Sequence, residues 1–147
     1  ALNNLGVCLF EVGRLHEAQT ICKKAIALRA DFSEAHCNLA NTNRELGQLD
    51  AAENSYRDAI FFNSRNCEAH VGLGLTLNIL GKVDDAILSY EEALDLNPDS
   101  DEALAGLGKA LMSINSINEG IAKLRSANGY IRLDLTAGLN YSSGKGL

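Results

Sequence analysis

Small and bulky positions recur along this chain at intervals of 34 residues, and that spacing organises everything else in it. A leucine followed by a small residue falls at Leu5-Gly6, Leu39-Ala40, Leu73-Gly74 and Leu107-Gly108. The same shift aligns Gly13, Gly47, Gly81 and Asn115, then Leu15, Leu49, Val83 and Ile117, then Ala18, Ala52, Ala86 and Gly120. A bulky column of Cys22, Tyr56, Tyr90 and Leu124 is followed by Ala25, Ala59, Ala93 and Ala127. Each copy reads as two short helices, in the clearest case Glu34 to Leu46 and Leu49 to Phe62, with the glycine column ending the first. Glu17, Asp50, Asp84 and Asp85 fall in the first turn of the second helices, where a negative charge complements the positive helix end. One copy cannot bury its apolar face alone, but stacked copies share a continuous core.

The leucine-glycine pair, the aromatic or leucine, the two alanines and the late Pro98 resemble the tetratricopeptide repeat family, over residues 1 to about 134. That resemblance implies an all-α fold, a right-handed superhelical solenoid of about four helix-turn-helix units, and a general protein-binding role. The units run 1–32, 33–66, 67–100 and 101–134, the last degenerate, with 135–147 as a tail, linker or start of another domain. Ala1 aligns with Ala35, Ala69 and Ala103, so the first unit reads as shortened at its start and the whole as an excised piece. Asn43 breaks a column otherwise made of Leu9, Leu77 and Leu111, Gly120 stands where the other units carry alanine, and weaker packing is expected at both. Residues 131–135 alternate with period two, a strand signal that either begins another domain or forms a linker.

Charge narrows the partners. Thirteen basic against nineteen acidic residues give a net charge of −6, which argues against a sequence-independent grip on nucleic acid or an anionic membrane. No apolar run reaches the roughly 20 residues of a membrane span and no leader pattern opens the chain, so a cytoplasmic location is expected. The third unit alone carries −6, with Asp84, Asp85, Glu91, Glu92 and Asp95 on its second helix, a solvated face or a docking patch for a basic partner.

Little in the sequence carries reaction chemistry. Gly144-Lys145 lacks the spacing and the Ser or Thr of a phosphate-binding loop. The pairs Gly72/Gly74 and Gly106/Gly108 recur at the repeat period and suit close helix packing better than dinucleotide binding. His36 and His70, with Cys37 and Cys67 beside them, read as interface residues rather than metal ligands, and Cys8 and Cys22 as small core residues. No catalytic residue, metal or cofactor is expected, and the segment is not read as an enzyme.

Function is expected in the groove lined by the first helices. Asn4 and Asn38 share one position in the first two units, where the third and fourth carry Gly72 and Gly106. A primary amide offers both a donor and an acceptor, so such a column can pair with the backbone of an extended peptide. Helices about 8 to 10 Å apart would meet every third residue of a peptide rising about 3.3 Å per residue. This pair is similar to the asparagine ladder in the repeat arm of O-GlcNAc transferase, here with two rungs. Asn3, Asn41 and Asn78 supplement it, and Val71, Leu75 and Ile79 supply apolar contact, so the expected peptide-binding set is Asn4, Asn38, Asn41, Val71, Leu75, Asn78 and Ile79. The basic side chains that hold chaperone C-terminal carboxylates elsewhere in the family are missing at the matching positions, Asn3, Val7, Glu68 and Gly72. The leading expectation is a scaffold for a protein or peptide partner, extended or helical. The alternative is the substrate-recognition arm of a protein-modifying enzyme whose catalytic domain starts near 130–135. Self-association through the terminal repeats is a further expectation.

Overall fold

A computed structural model of the chain describes residues 1–114 and 117–128. The described residues form eight helices: α1 (Leu2–Glu11), α2 (Leu15–Leu28), α3 (Ser33–Glu45), α4 (Leu49–Phe62), α5 (Cys67–Ile79), α6 (Val83–Leu96), α7 (Asp101–Ser113) and α8 (Ile117–Asn128). They pair as α1/α2, α3/α4, α5/α6 and α7/α8, and α2, α4 and α6 also pack against the first helix of the next unit. The first helices touch one another in the order α1, α3, α5, α7, which makes them the inner face of an all-α solenoid. The predicted helix pairs are therefore observed, with the start and end of α3 shifted by one residue because Leu46 is its C-cap. The strand-like stretch 130–135, the 135–147 tail and Asn115 lie outside the described residues.

The hairpin inside each unit is set by one glycine. Gly13, Gly47 and Gly81 hold φ of 84°, 78° and 81°, a left-handed backbone that a Cβ disfavours. The next amide then reaches back five residues: Arg14 N–H to the Leu9 carbonyl at 2.9 Å, Gln48 to Asn43 at 2.8 Å and Lys82 to Leu77 at 2.9 Å. Two carbonyl groups at each helix end are satisfied this way, and the following residue starts the next helix. Asn66 and Ser100 cap α5 and α7, accepting from the backbone N–H of Ala69 at 3.1 Å and Ala103 at 3.3 Å.

The core follows the columns. Ala18, Ala52, Ala86, Ala59 and Ala93 are fully buried, as are the rings of Tyr56 and Tyr90. Each ring occupies a slot between two first helices. A Cβ on Gly72 would overlap the Tyr56 ring and one on Gly106 the Tyr90 ring, while one on Gly74 would stand 2.7 Å from Tyr90 Cε1. Close packing is thus what those glycines are for. The first slot holds only Cys22, whose Sγ would lie 2.9 Å from a Cβ on Gly6.

Two local expectations are corrected. Asn43 does not loosen its surroundings: it is 3% exposed and its Oδ1 accepts from Gln19 Nε2 at 2.7 Å, a group that also reaches Gln48 Oε1 at 2.9 Å. A polar pair replaces leucine packing between α2 and α3 and leaves the buried amide oxygen satisfied. Cys8, expected in the core, is exposed, because its face of α1 has no helix against it; Cys22 is buried as expected.

Candidate functional site

Six of the seven residues assigned to peptide binding sit on α3 and α5, with Asn4 on α1, and five of the seven border one of two cavities. In the first two units Asn38 Nδ2 donates to Asn3 Oδ1 at 2.7 Å, an amide pair between α1 and α3. Asn4 is exposed beside them. These three, with Glu34, Asn63 and Asn66, are among the walls of a concavity of about 440 Å³ that Arg65 and Glu68 also border. Asn63 and Asn66 turn their oxygens to the backbone N–H of Arg65 and Ala69, both at 3.1 Å, and Asn66 Nδ2 donates to Ser33 Oγ at 3.1 Å. Asn4, the Asn3 nitrogen and the Asn38 oxygen carry no other hydrogen bond among the described residues. An amide-lined cavity with such groups offers an extended chain both donors and acceptors.

The second place lies between α3, α5 and α7. Asn41, Val71 and Leu75 border a small cavity of about 100 Å³ with Arg44, Glu68 and Glu102. Asn41 is engaged within the fold: its Oδ1 accepts the Tyr56 hydroxyl and its Nδ2 donates to Glu68 Oε1 at 3.0 Å. Each of its two polar atoms therefore has one partner within the fold. Val71 is 6% exposed and belongs mainly to the core, Leu75 and Asn78 are half-buried, and Ile79 is 62% exposed. Asn78 and Ile79 border neither cavity.

Tyr90 repeats Tyr56 one unit on, but Leu75 stands where Asn41 stands. The Tyr90 hydroxyl is buried and has no hydrogen-bond partner among the described residues. Burial pushes its pKa up to about 12, against a small opposing pull from Arg44. The Tyr56 hydroxyl is likewise raised by burial, and the Cys37 thiol is raised by burial with Glu68 adding to the effect and Arg44 opposing it. Both groups stay neutral at physiological pH.

Sequence reasoning missed Arg44, which places a guanidinium in the groove with one ion pair, to Glu45 at 3.7 Å. Its counterparts Phe10, Asn78 and Met112 share no chemistry with it, so the period hides it. Glu34 and Glu102 were equally overlooked as groove residues, although with Glu68 they form a column at the repeat spacing. The histidines are interface residues: His36 Nε2 lies 2.8 Å from the Ala30 carbonyl and His70 Nε2 3.0 Å from that of Ser64, and His36 stacks on Phe62. Among the described residues no His, Cys, Asp or Glu cluster could hold a metal ion, and no helix is long and apolar enough to cross a membrane. The acidic side chains of α6 are all exposed.

Two family models match, one described as Tetratricopeptide repeat over residues 1–60 and one as TPR repeat over residues 74–115. No curated protein matches the chain. Among solved structures, a crystal structure of MamA superposes with a TM-score of 0.81 at 26% identity, covering 87% of this chain and 75% of MamA. A second MamA crystal structure gives 0.79 at 26% identity, covering 86% and 69%. A third, MamA AMB-1, shares the fold with a TM-score of 0.73 at 20% identity, covering 92% and 76%. With the glycine-ended helix pairs and the 34-residue register, these matches place the chain in the tetratricopeptide repeat family.

Proposed function

We propose that this chain is a non-catalytic protein-interaction scaffold that holds an extended partner segment along the face formed by α1, α3, α5 and α7. The observation that carries this reading is the amide-lined concavity of about 440 Å³, in which Asn3, Asn4 and Asn38 from two successive first helices present unpaired groups side by side. Asn38 and Asn4 contact partner backbone, as a two-rung ladder would, and Leu75, Asn78 and Ile79 supply contacts further along the face. Val71 and Asn41 shape that face from beneath. Repeat scaffolds keep one fold and vary the groove, so the groove is the place for specificity.

Selection from a displayed-peptide library tests the reading, with the Asn4→Ala/Asn38→Ala variant used for counter-selection. Peptides retained by the native chain are expected to lose about 1 to 3 kcal/mol of affinity for the variant, roughly 5- to 150-fold. Peptides that bind both proteins equally well would remove the asparagines from the site.

A further inference from the structure

The second and third units pose the same three positions with one substitution between them. In the slot closed by α5, the carboxamide of Asn41 accepts from the Tyr56 hydroxyl through its oxygen and donates to Glu68 through its nitrogen. In the slot closed by α7, Tyr90 takes the place of Tyr56 and Glu102 that of Glu68, while Leu75 replaces Asn41. The Tyr90 hydroxyl then has no partner among the described residues. It ends 2.7 Å from where a Cβ on Gly106 would stand, as the Tyr56 hydroxyl ends 2.6 Å from that of Gly72, so the two rings point the same way out of their slots. Leu75 and Glu102 border the cavity of about 100 Å³ that also contains Gly72 and Arg44. A space of that size admits a group as large as an amide.

We propose that this cavity takes an amide group of the bound partner, which supplies to Tyr90 and Glu102 what Asn41 supplies to Tyr56 and Glu68. The Tyr90 hydroxyl is not itself one of the cavity's walls; the partner's carbonyl oxygen accepts from it once the half-buried Leu75 side chain changes rotamer, with Arg44, which does border the cavity, as a second donor. The partner's N–H donates to the Glu102 carboxylate. An amide can use both signs in the walls, donating to Glu102 and accepting beside Arg44, whereas a carboxylate would meet Glu68 and Glu102. The inference rests on the proposed use of the groove and names the chemistry of one subsite within it. The amide comes from an Asn or Gln side chain or from the partner's main chain, and the two sources are separable.

Three blocked peptides, Ac-Gly-Gln-Gly-NHMe, Ac-Gly-Gly-Gly-NHMe and Ac-Gly-Lys-Gly-NHMe, are titrated to millimolar concentration while backbone amide resonances are followed by NMR. Saturable shifts at Gly72, Leu75 and Gly106 are expected with the glutamine peptide. Equal shifts with the glycine peptide assign the amide to the main chain, and weaker ones assign it to the side chain. Leu75→Asn provides an internal carboxamide and should abolish the shifts, Leu75→Ala should keep them, and Glu102→Gln should weaken apparent affinity at least about fivefold. Shifts confined to Asn3, Asn4 and Asn38 would overturn this subsite while leaving the groove reading intact. A preference for the lysine peptide, unmoved resonances at Gly72 and Leu75, or unchanged binding in Leu75→Asn would overturn it as well.

Discussion

The contact between the first and second units and the contact between the second and third use one backbone arrangement with different fillings. At the first contact the second helix offers Cys22, and the facing first helix carries Asn38. At the second it offers the Tyr56 ring, and the facing position is Gly72, where a Cβ would overlap that ring. Tyr90 and Gly106 repeat the second arrangement. The asparagines at this position therefore stop after the second unit for a steric reason. A large residue on the second helix fills the slot from behind and strips the side chain from the groove in front, while a small one leaves room for a polar rung. Groove chemistry is set in part by residues that never touch the groove's contents.

That comparison can be broken most strongly at the tyrosine. Tyr56→Cys should cost about 3 to 5 kcal/mol, since it empties a fully buried slot, and Gly72→Asn should cost about 3 kcal/mol through overpacking. Combined, the two should cost less than their sum by about 0.5 to 3 kcal/mol, because the small thiol gives the new asparagine its room. Urea denaturation of the four proteins reads this directly, and strict additivity would contradict the proposed size complementarity.

The hydroxyl chemistry gives the next effect. Asn41→Leu makes the second slot resemble the third and orphans the Tyr56 hydroxyl, so a loss of about 1 to 3 kcal/mol is expected. Leu75→Asn does the reverse for Tyr90 and should raise the denaturation midpoint despite the smaller apolar area buried. Outside the slots, Gly47→Ala should lower stability by about 1 to 2 kcal/mol through its left-handed backbone, with the cavity at Asn38 unchanged in its peptide response.

The smallest effect concerns Glu53, whose carboxylate accepts from Lys82 at 2.9 Å and Arg57 at 3.0 Å. The hydrogen bond from Lys82 is the main reason its pKa lies below the ordinary carboxylate range, with Arg57 assisting. A depressed value means that this contribution is present above the ordinary carboxylate pKa of about 4.3 and disappears as pH falls through the folded-state value. Glu53→Gln should remove about 1 kcal/mol or less at neutral pH. The difference between variant and native chain should vanish in acid, as thermal melts at pH 7 and below pH 4 would report.

The fold was legible because its determinants are periodic. A column of glycines at one spacing marks the left-handed turns, and alanine columns mark the faces where helices meet, so registers and helix pairs follow without reference to distant contacts. The groove was only partly legible. Asn4 and Asn38 were visible as a repeated polar position, but which asparagine pairs with which depends on the rotation of α1 against α3, and the bond formed runs to Asn3. Asn41 looked free in sequence because the hydroxyl that occupies it belongs to the following helix of the same unit. Arg44 escaped because it recurs nowhere, and a method built on repetition is blind to a residue that appears once.

The slots also bear on how such a chain is made. Tyr56 needs Asn41 behind it and Gly72 ahead of it, and the described helices pack chiefly within their own unit or against the adjoining ones. Such local wiring suits a polypeptide delivered one end first by a ribosome. A unit can close as soon as the next first helix has emerged, before the rest of the message has been read.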